Sequence, residues 1–245
     1  MNNGAGLIHL SNPHPFPPRI KSTKPINAVA PEANEIRVCT NRTCRRQGSP
    51  EVLQVLSGIA PPTISVNSCG CLGQCGAGPN LVVLPSATFV NHCATAARAA
   101  EVMSIVCGFD SIGCKKSLEA LSMRKKAEIE MEKGDFAMAE ILLSQAIDLN
   151  PIGGIHYIYK DRSVARLAMN KTTDALEDAV EAATLAPRYP KAYICKGDAL
   201  MAMEQYEAAG DSYSIALELD PSIRRSKSFK ARVAKLQEKL ASSNC

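Results

Sequence analysis

The sequence predicts an α/β domain followed by an all-α repeat solenoid, preceded by a leader that does not fold. Three observations predict this. Residues 34–110 alternate short β-prone runs with amphipathic helical stretches, the pattern of a small α/β sandwich. Beyond position 117, alanines two helical turns apart recur in pairs, each pair followed by a proline, and Pro151, Pro187 and Pro221 stand at near-constant spacing. Positions 1–31 contain no Asp or Glu but hold Arg19, Lys21, Lys24 and six prolines.

Composition bounds the function. A chain of 245 residues has room for two ordinary domains. The net charge of +4 is too mild to argue for nucleic acid, and it is uneven: positions 1–117 carry 10 Lys/Arg against 5 Asp/Glu, positions 118–245 carry 18 against 19. No apolar run approaches the roughly 20 residues needed to span a bilayer as a helix. Ten cysteines could suggest a secreted disulfide scaffold, but no signal-peptide core is present and a chain this large does not need staples. A reducing compartment fits better.

Residues 1–33 are expected to be disordered, because a basic, Pro-rich stretch cannot bury enough surface to fold. Lacking acids up to position 31 and carrying Ser11, Ser22 and Thr23, the stretch also reads as a transit peptide with a processing region near Ala28-Val29-Ala30. Its weak amphipathic character points to the chloroplast stroma.

The α/β domain, expected over 34–110, opens with a strand at Glu35–Val38 that ends on Cys39. Ser49-Pro50-Glu51 is a helix start, with a capping hydroxyl, proline in the first turn and an acid beside it. Val52, Val55, Leu56 and Ile59 then share one face. Thr63–Val66 reads as a second strand, Gly70 to Gly78 as a glycine-rich loop, Leu81–Leu84 and Thr88–Val90 as further strands. Ala94–Val106 is the closing helix, with Ala97, Ala100, Val102, Ile105 and Val106 available to bury.

Chemistry is concentrated in two cysteine pairs, Cys39-x4-Cys44 and Cys71-x3-Cys75, the first before the expected helix at Ser49 and the second inside the glycine-rich loop. Two short loops leaving strands can close a four-sulfur cage, the donor set of a [2Fe-2S] cluster. Three other readings compete: a structural zinc site, which prefers tighter knuckles; a metal-free fold with a redox disulfide, for which Cys69 offers a further thiol; and a thioredoxin-type oxidoreductase, against which stands the lack of any C-x-x-C. The run Val38-Cys39-Thr40-Asn41-Arg42-Thr43-Cys44, with Cys71-Leu72-Gly73-Gln74-Cys75-Gly76-Ala77-Gly78-Pro79, resembles the thioredoxin-like [2Fe-2S] ferredoxins. That module also occurs in the small subunit of diaphorases of the NADH-dehydrogenase type. The resemblance covers essentially all of the segment 34–110. It implies ligation of the cluster by Cys39, Cys44, Cys71 and Cys75. The plant-type ferredoxin spacing is absent, since position 47 is Gln47. The remaining cysteines lack metal-site spacing and read as apolar thiols.

Residues 111–117 are expected to be a linker, and 118–241 a helical array with repeats over about 120–153, 156–189 and 190–223. Its alanine pairs are Ala139/Ala146, Ala175/Ala182 and Ala209/Ala216. Small residues two turns apart let paired helices approach, and proline stops the second helix of each pair. Gly134-Asp135 supplies a turn, and Gly153-Gly154 absorbs extra length between the first and second repeats. Period and pattern resemble the tetratricopeptide repeat (TPR), best in the third copy through Tyr193, Gly197, Leu200, Tyr206, Ala209, Tyr213, Ala216 and Pro221. An amphipathic helix over 223–240 caps the end, with Arg224, Arg225, Lys227 and Lys230 outward.

The resemblance implies a groove that binds a protein partner. Five positions that grip chaperone C-terminal carboxylates in one version of the fold fall on Arg124, Glu128, Asp161, Lys191 and Cys195. Glu128 and Asp161 place acids where a carboxylate would bind, and Cys195 lacks the cation, so the chaperone clamp is disfavoured and a partner of basic character is favoured. No catalytic motif and no phosphate-binding loop is present, and the four histidines are scattered. The expected function is a non-enzymatic [2Fe-2S] adaptor docked on a partner in plastid complex assembly or local electron transfer. The alternatives are a metal-free or zinc-bound scaffold and an accessory electron-transfer subunit of a diaphorase-like complex.

Overall fold

A computed structural model describes residues 34–108 and 110–243 of the chain. The leader and its cleavage region lie outside the described residues. The first unit is built on a four-stranded sheet, β1 (Glu35–Cys39), β2 (Ser65–Cys69), β3 (Leu81–Leu84) and β4 (Thr88–Val90), in the order β2-β1-β3-β4. β1 and β2 run parallel with Cys39 opposite Cys69, while β1/β3 and β3/β4 are antiparallel. A parallel pair needs a crossover, and α2 (Ser49–Ile59) supplies it, with α3 (Ala96–Cys107) packed beside it.

Two details of the first unit depart from the sequence-based expectation. β2 starts two residues later than expected and runs on to Cys69, because register with β1 outweighs local β-propensity. A five-residue helix, α1 (Arg42–Arg46), fills the loop between Cys39 and α2, its start capped by the Asn41 side chain, which accepts from the Arg42 N–H at 2.6 Å.

The core of this unit comprises Ile36, Val38, Leu56, Ile59, Leu81, Val83 and Met103. It also takes in Cys114 and Leu121 from the following helix. That helix, α4 (Ser111–Lys133), corrects the expected linker: residues 111–117 are its opening turns. The Asp110 carboxylate caps it by accepting from the Gly113 N–H at 2.7 Å, and the Ser117 hydroxyl, donating to Gly113 O, also accepts from the Ile152 N–H.

The rest is a TPR-like solenoid of helix pairs: α4 with α5 (Phe136–Asp148), α6 (Ile155–Ala168) with α7 (Thr172–Leu185), and α8 (Pro190–Ala202) with α9 (Tyr206–Leu219). A 3-10 turn at Pro221–Arg225 leads into α10 (Lys227–Ser243), which packs on α9. The alanine pairs explain the helix crossings. Ala139, Ala146, Ala175, Ala182, Ala209 and Ala216 are all fully buried. At such positions any larger side chain would force the backbones apart. Gly197 serves the same end in the third pair, where an added Cβ would strike the Tyr213 ring.

Gly153 and Gly154 do more than absorb length. A Cβ on Gly153 would collide with the Ile59 carbonyl and one on Gly154 with the Gly58 carbonyl, and the Gly154 N–H donates to Ala60 O at 3.1 Å. The backbone at the end of α2 thus rests directly on the start of α6, joining the two units.

Candidate functional site

The first helices of successive pairs approach one another, α4 with α6 and α6 with α8, more closely than the second helices do. The array therefore curves with α4, α6 and α8 on the inside, and these carry the five residues proposed from sequence. Three come together. The Arg124 guanidinium donates through Nε to Asp161 Oδ2 at 2.6 Å and through Nη2 to Glu128 Oε1 at 2.7 Å. Lys160, which sequence reasoning missed, pairs with the other Asp161 oxygen. Arg124 also lies 5.0 Å over the Tyr157 ring. Cys195 is buried, and burial pushes its thiol up to about 12, so it lines the wall as an apolar group. Lys191 is exposed at the start of α8.

These distances change the electrostatic argument. Asp161 is only 3% exposed and is held by two cations. A carboxylate neutralised inside the wall does not repel an incoming anion as a free one would. Asp161 is thus spent on an internal ion pair, while Glu128 stays partly exposed beside Arg124.

Beside Arg124 lies an aromatic cluster. His156 and Tyr189 meet edge-on at 5.4 Å, as do Tyr157 and Tyr189 at 5.2 Å. His156 is nearly fully buried in the first turn of α6 and its Nδ1 has no hydrogen-bond partner. Burial first, then the Arg124 charge, push its pKa down to about 4, and the positive end of the helix dipole acts in the same sense. The cluster forms one wall of a cleft of about 660 Å3 between the two units, faced by Pro62, Ile64 and Val66 on one side and by Pro187 and Tyr189 on the other. A second network lies behind α6: Arg162 and Arg166 both reach the buried Asp178 on α7, and Arg166 with Lys171 holds Glu140 of α5. The i, i+4 spacing of Arg162 and Arg166 was the available signal for it.

The two cysteine pairs occupy different depths. Cys39 and Cys44 are buried, with Asn80 Nδ2 donating to Cys44 Sγ at 3.7 Å. Cys71 and Cys75 stand exposed on the loop after β2, their sulfurs 3.5 Å apart. The Gly73 N–H, then the Cys75 thiol, hold Cys71 below the usual thiol range. Among the described residues no three or more His, Cys, Asp or Glu side chains gather in a way that could hold a metal ion. The expectation of a [2Fe-2S] cluster on Cys39, Cys44, Cys71 and Cys75 is therefore corrected. Loop spacing brings each pair to the end of a strand, but Cys39 and Cys44 are buried, with Asn80 on the Cys44 sulfur, while Cys71 and Cys75 face water. Cys93 and Cys114 are buried as expected of apolar thiols; Cys245 lies outside the described residues.

Comparison with known proteins addresses the helical half. No protein-family model matches the chain. It is 32% identical over 104 residues to the protein STIP1 homolog of Dictyostelium discoideum, covering 42% of this chain and 18% of that one. It is 34% identical over 116 residues to the protein SGT1 homolog of Oryza sativa subsp. japonica, covering 47% and 30%. It is 29% identical over 122 residues to heat shock protein STI1 of Saccharomyces cerevisiae, covering 50% and 20%. The chain thus spans under a third of these three relatives. Among solved structures, the first TPR domain of human RPAP3 is 25% identical, with a TM-score of 0.47 over 51% of this chain and 95% of that one.

The chain's helical half is similar to TPR proteins of this group. Further relatives are the Hsp70-Hsp90 organizing protein of Triticum aestivum and tetratricopeptide repeat protein 28 of Homo sapiens.

Proposed function

We propose that this chain is a non-enzymatic adaptor that holds a protein partner by a peptide segment lying along α4, α6 and α8. The observation that carries the reading is the inner wall itself, where Tyr157 in the first turn of α6 and Lys191 at the start of α8 present aromatic and cationic groups beside Arg124 of mid-α4, whose charge is shared with Asp161 and Glu128. Acidic C-terminal peptides of the Hsp70 and Hsp90 kind are the first ligand class to test, because one relative is named Hsp70-Hsp90 organizing protein and because Asp161 is neutralised internally. This reverses the sequence-based argument against a chaperone clamp, which treated Glu128 and Asp161 as free acids. A partner of basic character is the alternative that the same titration tests.

The experiment is a fluorescence anisotropy titration of the full chain with the labelled peptide SRMEEVD, with its amidated form and with a basic peptide of equal length. Saturable binding of the free-acid peptide, weakened at least tenfold by amidation or by Lys191→Ala, supports the reading. Equal or tighter binding of the basic peptide sinks the choice of ligand, and no binding of any peptide sinks the groove.

The α/β unit is read as thioredoxin-like, supported by its parallel β1–β2 crossover followed by the antiparallel β3 and β4. The leader's composition supports a plastid destination, which a fluorescent reporter fused after residue 35 tests: diffuse cytosolic signal would refute it.

A further inference from the structure

We propose that Cys71 and Cys75 form a redox-active dithiol that small disulfides of the glutathione class close reversibly to an intramolecular disulfide. The two sulfurs lie 3.5 Å apart in an exposed loop. A disulfide bond is about 2.0 Å long, so closure needs an approach of roughly 1.5 Å. The loop can supply it. Gly73 and Gly76 adopt positive φ, which turns the chain back so that residues four apart meet. Around Gly70, Gly73 and Gly76 there is open space, with no atom within 4 Å of where a Cβ would sit. The loop is tethered at Gln74, whose carbonyl accepts from the buried Asn80 amide at 2.7 Å, so the approach falls to the Cys71 side.

Access selects this pair over the other thiols among the described residues. Cys39, Cys44, Cys93, Cys114 and Cys195 are buried, and Cys69 and Cys107 are partly so. Cys69 also sits in β2, where register with β1 fixes its backbone. Within the pair, Cys71 is the attacking group, because the Gly73 N–H donates to its sulfur at 3.4 Å and favours the thiolate. The Cys71 thiolate attacks one sulfur of the small disulfide, forming a mixed disulfide and releasing one small thiolate. Cys75 then loses its proton to water and attacks Cys71 Sγ, forming the internal S–S bond and releasing the second small thiolate. The protein dithiol loses two electrons and the small disulfide gains them.

The test uses the full chain, reduced, desalted without oxygen, exposed to oxidised glutathione, then alkylated and mapped by mass spectrometry. The expected result is a peptide-mapped link between Cys71 and Cys75, with both losing alkylation and both restored by dithiothreitol, whatever the state of Cys245. Cys75→Ser should instead retain a stable glutathione adduct on Cys71, and Cys69→Ser should behave like the parent. In the parent chain alone, Cys71 and Cys75 should lose alkylation at one common rate, which tests the pairing without any variant. Three results would each overturn the proposal: Cys71 and Cys75 remaining alkylatable throughout, either one pairing with Cys39, Cys44 or Cys69 instead, or both being shielded in the purified chain by bound iron or zinc.

Discussion

Mild acid should destabilise the array through His156 before its carboxylates titrate. The imidazole is nearly fully buried, with Tyr157 and Tyr189 against its ring and the Arg124 charge nearby. Its pKa falls from 6.5 to about 4 on folding. A depressed histidine binds its proton more weakly in the folded state than in the unfolded chain. Its contribution is therefore fully present above pH 6.5 and is lost as pH falls towards 4. That difference corresponds to about 3 kcal/mol in total, of which about 2 kcal/mol is lost between pH 7 and pH 5. Guanidinium unfolding followed by far-UV circular dichroism at pH 7, 6 and 5 reads this directly. His156→Phe keeps an aromatic ring against the two tyrosines and removes the titrating group, so its stability should be flatter over the same interval by about 2 kcal/mol. Carboxylates common to both chains cancel in the comparison. Parallel pH profiles for the parent and His156→Phe would refute the reasoning.

Three other perturbations follow from the packing. Asp178→Ala removes the acceptor shared by Arg162 and Arg166, leaving cations in a half-closed wall, and should cost about 3 kcal/mol in a denaturant titration; a loss under about 1 kcal/mol would mean that solvent already screens the network. Gly153→Val drives a side chain into the Ile59 carbonyl and should part the two units, seen as faster amide exchange at the end of α2 and the start of α6 with α8 and α9 unchanged. Gly197→Ala gains about 1 kcal/mol of helix propensity but must displace the Tyr213 ring, whose hydroxyl donates to Asp198 at 2.7 Å. Overpacking of about 1–3 kcal/mol should win, so the unfolding midpoint should fall; a rise would show that the ring yields freely.

What the sequence reveals of this chain is what local spacing encodes. Alanines two turns apart followed by proline report the helix crossings because only small residues fit where backbones nearly touch, and all six are buried. The opening of α4 was harder to see. Residues 111–117 lack a clear apolar period, and their helix rests on a cap from Asp110 and on Cys114, which packs on the other unit. Partnerships between distant residues were not legible at all. Arg124 and Asp161 are 37 residues apart, and their pairing depends on which helix lies beside which. Without it, Asp161 looks like a free acid in the groove; with it, the same residue is part of the wall. Depth was equally hidden. The spacings x4 and x3 place each cysteine pair in a loop at the end of a strand, yet no spacing says that Asn80 will close over Cys44 while Cys71 and Cys75 are left in water. Both corrections have one cause: a residue's chemistry is set by what covers it, and here the cover comes from residues 36 or 37 positions away.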